Sequence, residues 1–205
     1  MIDFPLYLIT DRKQVANGHT LYTAVEAALQ GGVKAVQLRE KDLSPDALLH
    51  LAKELRALTM RYGALLFIND NIDIAIAVKA DGVHLGSHSQ PTDVIRMKVG
   101  RKMLIGVSTH SKAEIELASE QGADFVTFGP VYATPSKAKY GDPQGLEKLA
   151  EACRDSSIPV FALGGITPER ATEVKQVGAT GIALISAIIA SPDPRASAEA
   201  FTACD

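Results

Sequence analysis

The sequence predicts a single (β/α)8 barrel, an α/β fold of the TIM-barrel type, over residues 1–205, and three observations predict it. Short apolar runs with the length of buried strands alternate without interruption with amphipathic helical segments, which is the pattern of a parallel sheet. Eight such units fit in 205 residues, about 25 residues each, at the compact end for this architecture. The last two strands enclose Gly164-Gly165 and lead into Ser186-Ala187 at the start of a helical turn, the place where such barrels hold a phosphate. An open doubly wound sheet is the alternative that the same alternation allows.

Residues 5–10 (PLYLIT) form the first strand, which runs out at Asp11-Arg12. The helical segment that follows carries Leu21, Val25, Ala28 and Leu29 on one face and closes at Gly31-Gly32. Strand two, 35–38, ends at Arg39-Glu40-Lys41. Ser44 and Pro45 cap a longer helix with Leu48, Leu51, Ala52, Leu55 and Leu58 in one stripe, stopped at Gly63. Strand three, 64–68, ends at Asn69-Asp70, and a short helix over 72–78 leads to strand four, 82–85. That strand ends at Gly86-Ser87-His88-Ser89, and a helix over 91–99 precedes strand five, 104–107, which ends at Ser108-Thr109-His110. Ser111-Lys112-Ala113-Glu114 reads as a capping box opening a helix that runs to Gly122. Strand six is 125–128, residues 129–145 are the one long loop, and 146–153 are helical. Strands seven and eight are 160–163 and 182–185; between them Thr167-Pro168-Glu169 starts a helix with a hydroxyl cap and a proline at its first position. A last helix covers about 195–203.

A net charge of −3 and the lack of any basic block argue against nucleic acid and acidic membranes as partners. No apolar run approaches the ~20 residues that a membrane helix needs. Cys153 and Cys204 are the only cysteines and lie in no metal-like cluster, which fits a reduced, cytoplasmic setting. The N-terminus reaches an apolar strand at once, without a basic lead or a cleavage site. A homo-oligomer stays open.

In a barrel the active site gathers at the C-terminal ends of the strands. Those ends carry Gln37, Arg39, Lys41, Asn69, Asp70, Ser108 and His110, and the long loop adds Thr134, Ser136 and Lys137. The set is cationic and rich in hydrogen-bonding groups, with one well-placed carboxylate, and it suits a polyanionic small molecule. Arg39 can grip phosphate oxygens in a fork, whereas Lys41 and Lys137 supply point charges. Asp70 beside Asn69 can hold a magnesium ion whose other ligands are waters and diphosphate oxygens. Gly164 and Gly165, lacking side chains, let backbone amides approach an anion. The loop Thr134-Pro135-Ser136-Lys137 offers two hydroxyls and an ammonium. His110 is a candidate proton carrier near neutral pH. His84, inside an apolar strand, reads as a satisfied core residue, and His88 faces outward with no assigned role. The plain alternative for each charged residue is a solvated ion pair at the rim, and for the loop a surface excursion.

These residues resemble the thiamine phosphate synthase family along nearly the whole chain. The resemblance rests on Gln37-Leu38-Arg39-Glu40-Lys41, Ile68-Asn69-Asp70, Ala80-Asp81-Gly82-Val83-His84-Leu85-Gly86 and Gly106-Val107-Ser108-Thr109-His110. It continues through Phe128-Gly129-Pro130-Val131, Thr134-Pro135-Ser136-Lys137, Gly164-Gly165-Ile166 and Ile185-Ser186. It implies a (β/α)8 barrel that joins hydroxymethylpyrimidine diphosphate to a thiazole phosphate and releases diphosphate. By motif match, Gln37, Arg39, Lys41, Asn69, Ser108 and Lys137 bind the pyrimidine diphosphate and Asp70 binds magnesium. Thr134, Ser136, Gly165, Ile185 and Ser186 bind the thiazole phosphate. Lys137, Arg39, Ser108 and His110 are the expected catalytic residues.

One position departs from the family. After Val83-His84-Leu85-Gly86 the synthases usually carry Gln-x-Asp, whose aspartate is the second magnesium ligand; here Ser87-His88-Ser89 stands there. A related branch, the thiazole tautomerases, commonly lacks that carboxylate and moves protons with a histidine at the position of His110. Retention of Lys41, Asn69, Asp70 and Lys137 favours the synthase, since a tautomerase has no diphosphate to hold. A non-catalytic sensor of thiazole phosphate or thiamine phosphate is the reading from outside the enzymes.

Overall fold

The structure, a computed structural model, describes residues 2–134 and 142–203. Eight strands, β1 (Leu6–Ile9), β2 (Ala35–Leu38), β3 (Leu65–Asn69), β4 (Gly82–Leu85), β5 (Leu104–Thr109), β6 (Phe125–Phe128), β7 (Val160–Leu163) and β8 (Gly181–Leu184), form a closed barrel. Each pairs in parallel with its neighbour in sequence, and β8 closes on β1 through Leu6↔Ile182 and Leu8↔Leu184. Around it lie α1 (Leu21–Gln30), α2 (Pro45–Arg61), α3 (Ile72–Ala77), α4 (Thr92–Val99), α5 (Lys112–Glu120), α6 (Gly145–Asp155), α7 (Pro168–Gln176), α8 (Ser186–Ile189) and α9 (Pro194–Thr202). No helix among the described residues is long and apolar enough to cross a membrane.

The strands are four to six residues long, and most are buried on both faces because helices cover the outside and side chains fill the inside. The interior filling follows a size rule across the hydrogen-bonded register. Phe67 stands opposite Gly82, Phe125 opposite Gly106, and Phe161 opposite Gly181. Tyr7 stands between Ala35 and Ala183. A Cβ added at Gly82, Gly106 or Gly181 would lie 2.4 Å from the ring of its aromatic neighbour. The rings meet edge to face or tilted, with centroids 5.2 Å apart for Tyr7–Phe67 and 5.3 Å for Phe125–Phe161. Phe4 closes the same cluster, 5.1 Å from Phe161.

At the N-terminal end of the barrel one device appears twice. Asp81, just before β4, accepts the Leu66 N–H at 2.8 Å and the Arg56 guanidinium at 2.5 Å. Asp124, just before β6, accepts the Ile105 N–H at 2.7 Å and the Arg96 guanidinium at 2.5 Å. Each carboxylate ties a helix to the amide of the second residue of the preceding strand, on the face of the barrel concerned with stability.

The eight strands and the helices between them lie where the alternation places them, and the differences are local. Strand eight ends at Leu184, so Ile185 becomes the residue before α8. Strand five continues through Ser108 and Thr109. Thr167 makes no side-chain cap; its hydroxyl bonds Glu169 and lowers that carboxyl's pKa. The expected box at Ser111 is half formed. Ser111 accepts the Glu114 N–H at 3.3 Å, but Glu114 reaches past it to the His110 N–H at 2.5 Å. A full box forms instead between Thr20 and Thr23 at the start of α1. A 3-10 turn, Arg12–Gln14, capped by Asp11, stands where the first strand runs out.

Gly106 has an ordinary backbone conformation, so Gly106→Ala tests interior space alone. Its Cβ would meet the Phe125 ring at 2.4 Å and His84 Nδ1 at 2.6 Å. We expect a loss of about 1–3 kcal/mol in urea unfolding. An unchanged midpoint would show that the barrel interior has room the register denies.

Candidate active site

Directly above the aromatic layer, toward the C-terminal ends of the strands, the interior turns polar. Gln37 donates its Nε2 hydrogen to the Tyr7 hydroxyl at 3.1 Å. The Tyr7 oxygen lies 3.3 Å from His84 Nδ1, and His84 Nε2 lies 3.0 Å from the Ser108 hydroxyl. Burial pushes the Tyr7 phenol well above its usual pKa, against the smaller opposing effect of Gln37, so it keeps its proton. Burial also pushes His84 down to about 3; the Asp70 charge opposes this and the Arg39 charge adds to it. His84 is therefore neutral and carries one ring proton.

These facts set the direction of the whole chain. Tyr7, already accepting from Gln37, donates to Nδ1, so the imidazole proton sits on Nε2 and is given to Ser108. The Ser108 proton is then left to point away from His84. Beside Ser108 in register, Thr127 is buried, and its hydroxyl has no partner among the described residues.

The exit of β2 is clasped to the exit of β1. Thr10 accepts the Arg39 N–H at 2.9 Å. Glu40, only 5% exposed, turns inward and accepts the Arg12 N–H at 3.0 Å and its guanidinium at 3.2 Å. Arg12 then grips Asp42 at 2.5 and 3.0 Å and holds that carboxyl well below the usual carboxylate range. With the acids of this stretch turned toward Arg12, the Arg39 and Lys41 cations have no hydrogen-bonding or ion-pair partner among the described residues. Arg39 is half-buried and Lys41 is exposed.

Across the mouth, Asp70 takes a left-handed backbone conformation at φ 59°. Its carboxylate accepts the Asn69 carboxamide at 2.7 Å and the Ser89 hydroxyl. Ser89 is held in turn by the Gly86 N–H at 2.7 Å. Ser89 thus stands against Asp70, where the family's second carboxylate is expected. No cluster of three or more His, Cys, Asp or Glu side chains lies among the described residues. One carboxylate flanked by a hydroxyl and a carboxamide is a hard-oxygen set. It fits magnesium when substrate oxygens and waters supply the other ligands, and it is poor for softer metals.

His110 is exposed at the end of β5, and its Nδ1 donates to the Gly129 carbonyl at 2.5 Å, so Nε2 is the nitrogen left for a substrate. Thr134 is half-buried at the edge of the described segment. Ser136 and Lys137 lie outside the described residues. Gly164 and Gly165 have φ of 103° and 66°. Their lack of side chains serves packing first. A Cβ at Gly164 would lie 2.6 Å from Pro130 Cβ, and one at Gly165 would lie 2.8 Å from the Ala133 carbonyl. Ile185 is half-buried and Ser186 exposed at the start of α8, close in the chain to the end of β8.

The mouth thus brings together Gln37, Arg39, Lys41, Asn69, Asp70, Ser108 and His110 from the ends of β2, β3 and β5. Gly165 and Ser186 lie at the ends of β7 and β8. Sequence reasoning passed over Tyr7, Arg12 and Glu40 and gave His84 only a core role. A phenol in the middle of the apolar run PLYLIT was the available signal for Tyr7. Nothing local marks Glu40 as the buried acid of its loop.

A family model described as thiamine monophosphate synthase matches residues 6–188. A relative from Geobacter sulfurreducens is 56% identical over 202 residues, covering 98% of this chain and 94% of its own. The thiamine-phosphate synthase of Roseiflexus castenholzii is 42% identical over 200 residues, covering 98% and 86%. The solved structure of thiamine phosphate pyrophosphorylase from Pyrococcus furiosus superposes with a TM-score of 0.89 at 36% identity, covering 98% of this chain and 95% of that one.

The buried neutral His84 gives a signed pH dependence. Its native pKa of about 3 lies below the ordinary value of 6.5, so between the two the unfolded chain binds a proton that the native state refuses. Stability from this group is complete above about pH 6.5 and falls as pH drops toward 3, by up to about 1.4 kcal/mol per pH unit. Urea unfolding at several pH values should show a shallower acid slope for His84→Asn than for the wild type. Parallel slopes would contradict the assignment.

Proposed function

The chain belongs to the thiamine monophosphate synthase family, and on that premise we propose that its barrel mouth joins hydroxymethylpyrimidine diphosphate to a thiazole phosphate, giving thiamine phosphate and diphosphate. The observation that carries this reading is the pair of cations at the exit of β2, Arg39 and Lys41, without an ion-pair partner among the described residues, at the same end of the barrel as the hard-oxygen carboxylate of Asp70. A diphosphate group needs those charges, and a neutral or monoanionic substrate would leave them unmatched.

In this reading Arg39, Lys41 and Lys137 hold the diphosphate, and Gln37, Asn69 and Ser108 hold the pyrimidine portion. Thr134, Ser136, Gly165, Ile185 and Ser186 receive the thiazole phosphate. The reaction breaks the bond between the pyrimidine methylene and the diphosphate oxygen, and the electron pair leaves with diphosphate. The thiazole nitrogen then closes on the methylene carbon. Asp70 would hold magnesium together with substrate oxygens, and the ion would supply neutralising charge for the leaving diphosphate. The residues supply fixed charge and alignment, and no side chain needs to exchange a proton with carbon. Ser108, its proton directed outward by His84, offers a preset donor. The chain acts as one barrel domain over residues 1–205, in the cytoplasm, on small molecules.

Ser89 in place of a carboxylate is the one observation that favours thiazole tautomerase chemistry instead, with His110 Nε2 as the proton carrier. Two variants separate the readings. Lys137→Ala should slow coupling about 10²–10³-fold, as loss of a preorganised charge donor does, and spare isomerisation. His110→Ala should slow isomerisation about 10²–10⁴-fold and cost coupling little. Both reactions are assayed for both proteins, with folding checked by circular dichroism. Coupling at the wild-type rate by Lys137→Ala, or a wild type that isomerises the thiazole but does not couple, overturns the synthase.

Magnesium binding tests the carboxylate directly. Calorimetry should find weak binding of magnesium alone and tighter binding once inorganic diphosphate is present. Ser89→Asp should bind magnesium more tightly without diphosphate, because it places a second carboxylate against Asp70. Unchanged affinity would remove Ser89 from the metal site.

A further inference from the structure

The β6 loop enters along the turn after β7 as a short backbone ladder. Val131 N–H donates to the Leu163 carbonyl at 2.9 Å, and Tyr132 N–H donates to the Gly164 carbonyl at 3.0 Å. The other end of the loop returns to the same place, with Gln144 N–H on the Pro130 carbonyl at 2.7 Å and Gly145 N–H on the Val131 carbonyl at 3.0 Å. On the outer side of this junction lies a three-residue cluster that the proposed chemistry does not use. Arg170 and Glu173, one turn apart on α7, grip a single tyrosine. The Arg170 guanidinium stacks over the Tyr132 ring at 4.4 Å, and the Tyr132 hydroxyl donates to Glu173 at 2.8 Å. Arg170 also donates to the Gly165 carbonyl at 2.7 Å.

Gly164-Gly165 is a dipeptide with unusual conformational freedom, and both residues sit at positive φ. Without an outside restraint, its peptide planes would pay an ordering cost each time a ligand docked on them. In a trans peptide the carbonyl and the following N–H point in opposite directions. Holding the Gly165 oxygen on Arg170 therefore also sets the direction of the Ile166 N–H. The planar guanidinium is suited to donating to a carbonyl with one edge while stacking on a ring with its face.

We infer that Arg170, with Tyr132 and Glu173, is a positioning clamp that presets the Gly164-Gly165 turn and the entry of the β6 loop for the thiazole phosphate. The inference rests on the reading of this mouth as a thiamine phosphate synthase site. The clamp touches no substrate. It acts through the Gly165 carbonyl and through the spacing between that turn and Thr134, two residues beyond Tyr132.

The test is the separate dependence of coupling on each substrate. Arg170→Met should raise KM for the thiazole phosphate about tenfold, equivalent to about 1.4 kcal/mol, and leave KM for the pyrimidine diphosphate within about twofold. Arg170→Lys should recover little of this, since it lacks the planar stacking fork. Tyr132→Phe keeps the ring, loses Glu173, and should raise the same KM about two- to threefold. If Arg170→Met does not fold, the other two variants are judged by the same criterion. An equal rise in both KM values, or no rise for the thiazole phosphate, makes the cluster a structural contact and overturns the inference. Should the wild type fail to couple, the functional reading falls, and calorimetric binding of the thiazole phosphate to the same variants judges the clamp: weaker binding supports it and unchanged binding overturns it.

Discussion

The barrel depends on a matching of sizes across neighbouring strands. Phe67, Phe125 and Phe161 each face a glycine, and Tyr7 faces alanine on both sides. Eight short strands close around these large rings with a glycine or alanine in register on at least one side of each. The result is a plug of edge-to-face and tilted rings in place of a pore. The plug also fixes the height of everything above it. Tyr7 is part of the plug by its ring and part of the site by its hydroxyl.

From that hydroxyl upward the site is a sequence of restraints. Gln37 and His84 lock the Tyr7 oxygen, and His84 Nε2 donates a hydrogen bond to Ser108. Glu40 and Asp42 are drawn to Arg12, which leaves Arg39 and Lys41 without an ion-pair partner among the described residues. Asp70 is fixed by Asn69 and Ser89. Each restraint removes a competing partner from a group that faces the mouth, so charge and donors stand ready before a substrate arrives. This is electrostatic preorganisation built from ordinary hydrogen bonds.

Most of the fold was legible because strand–helix alternation and the Gly-Gly turn are local signals. The barrel mouth was legible as well, since strand ends can be read once strands are placed. Ser89 is a clear case: its mismatch with the family motif marked it, and the structure sets it on Asp70. What stayed hidden depends on partners far apart in sequence. Tyr7 meets His84 across 77 residues, and Glu40 meets Arg12 across 28. Gly165 read as an opening for an anion, and the press of Ala133 and Tyr132 on it from another loop was not visible in the sequence. Thr167 looked like a helix cap because hydroxyls before proline often are, yet Glu169 offered its hydroxyl a closer charged partner. Local rules name the candidates, and long-range packing decides between them.

The central claim is that this mouth couples two phosphorylated heterocycles. The most direct measurement incubates the purified chain with hydroxymethylpyrimidine diphosphate, thiazole phosphate and magnesium, and follows products by mass spectrometry. Thiamine phosphate and diphosphate should accumulate together in equal amounts, and only when both substrates are present. A folded protein that binds both substrates at saturation and yields no thiamine phosphate would contradict the account.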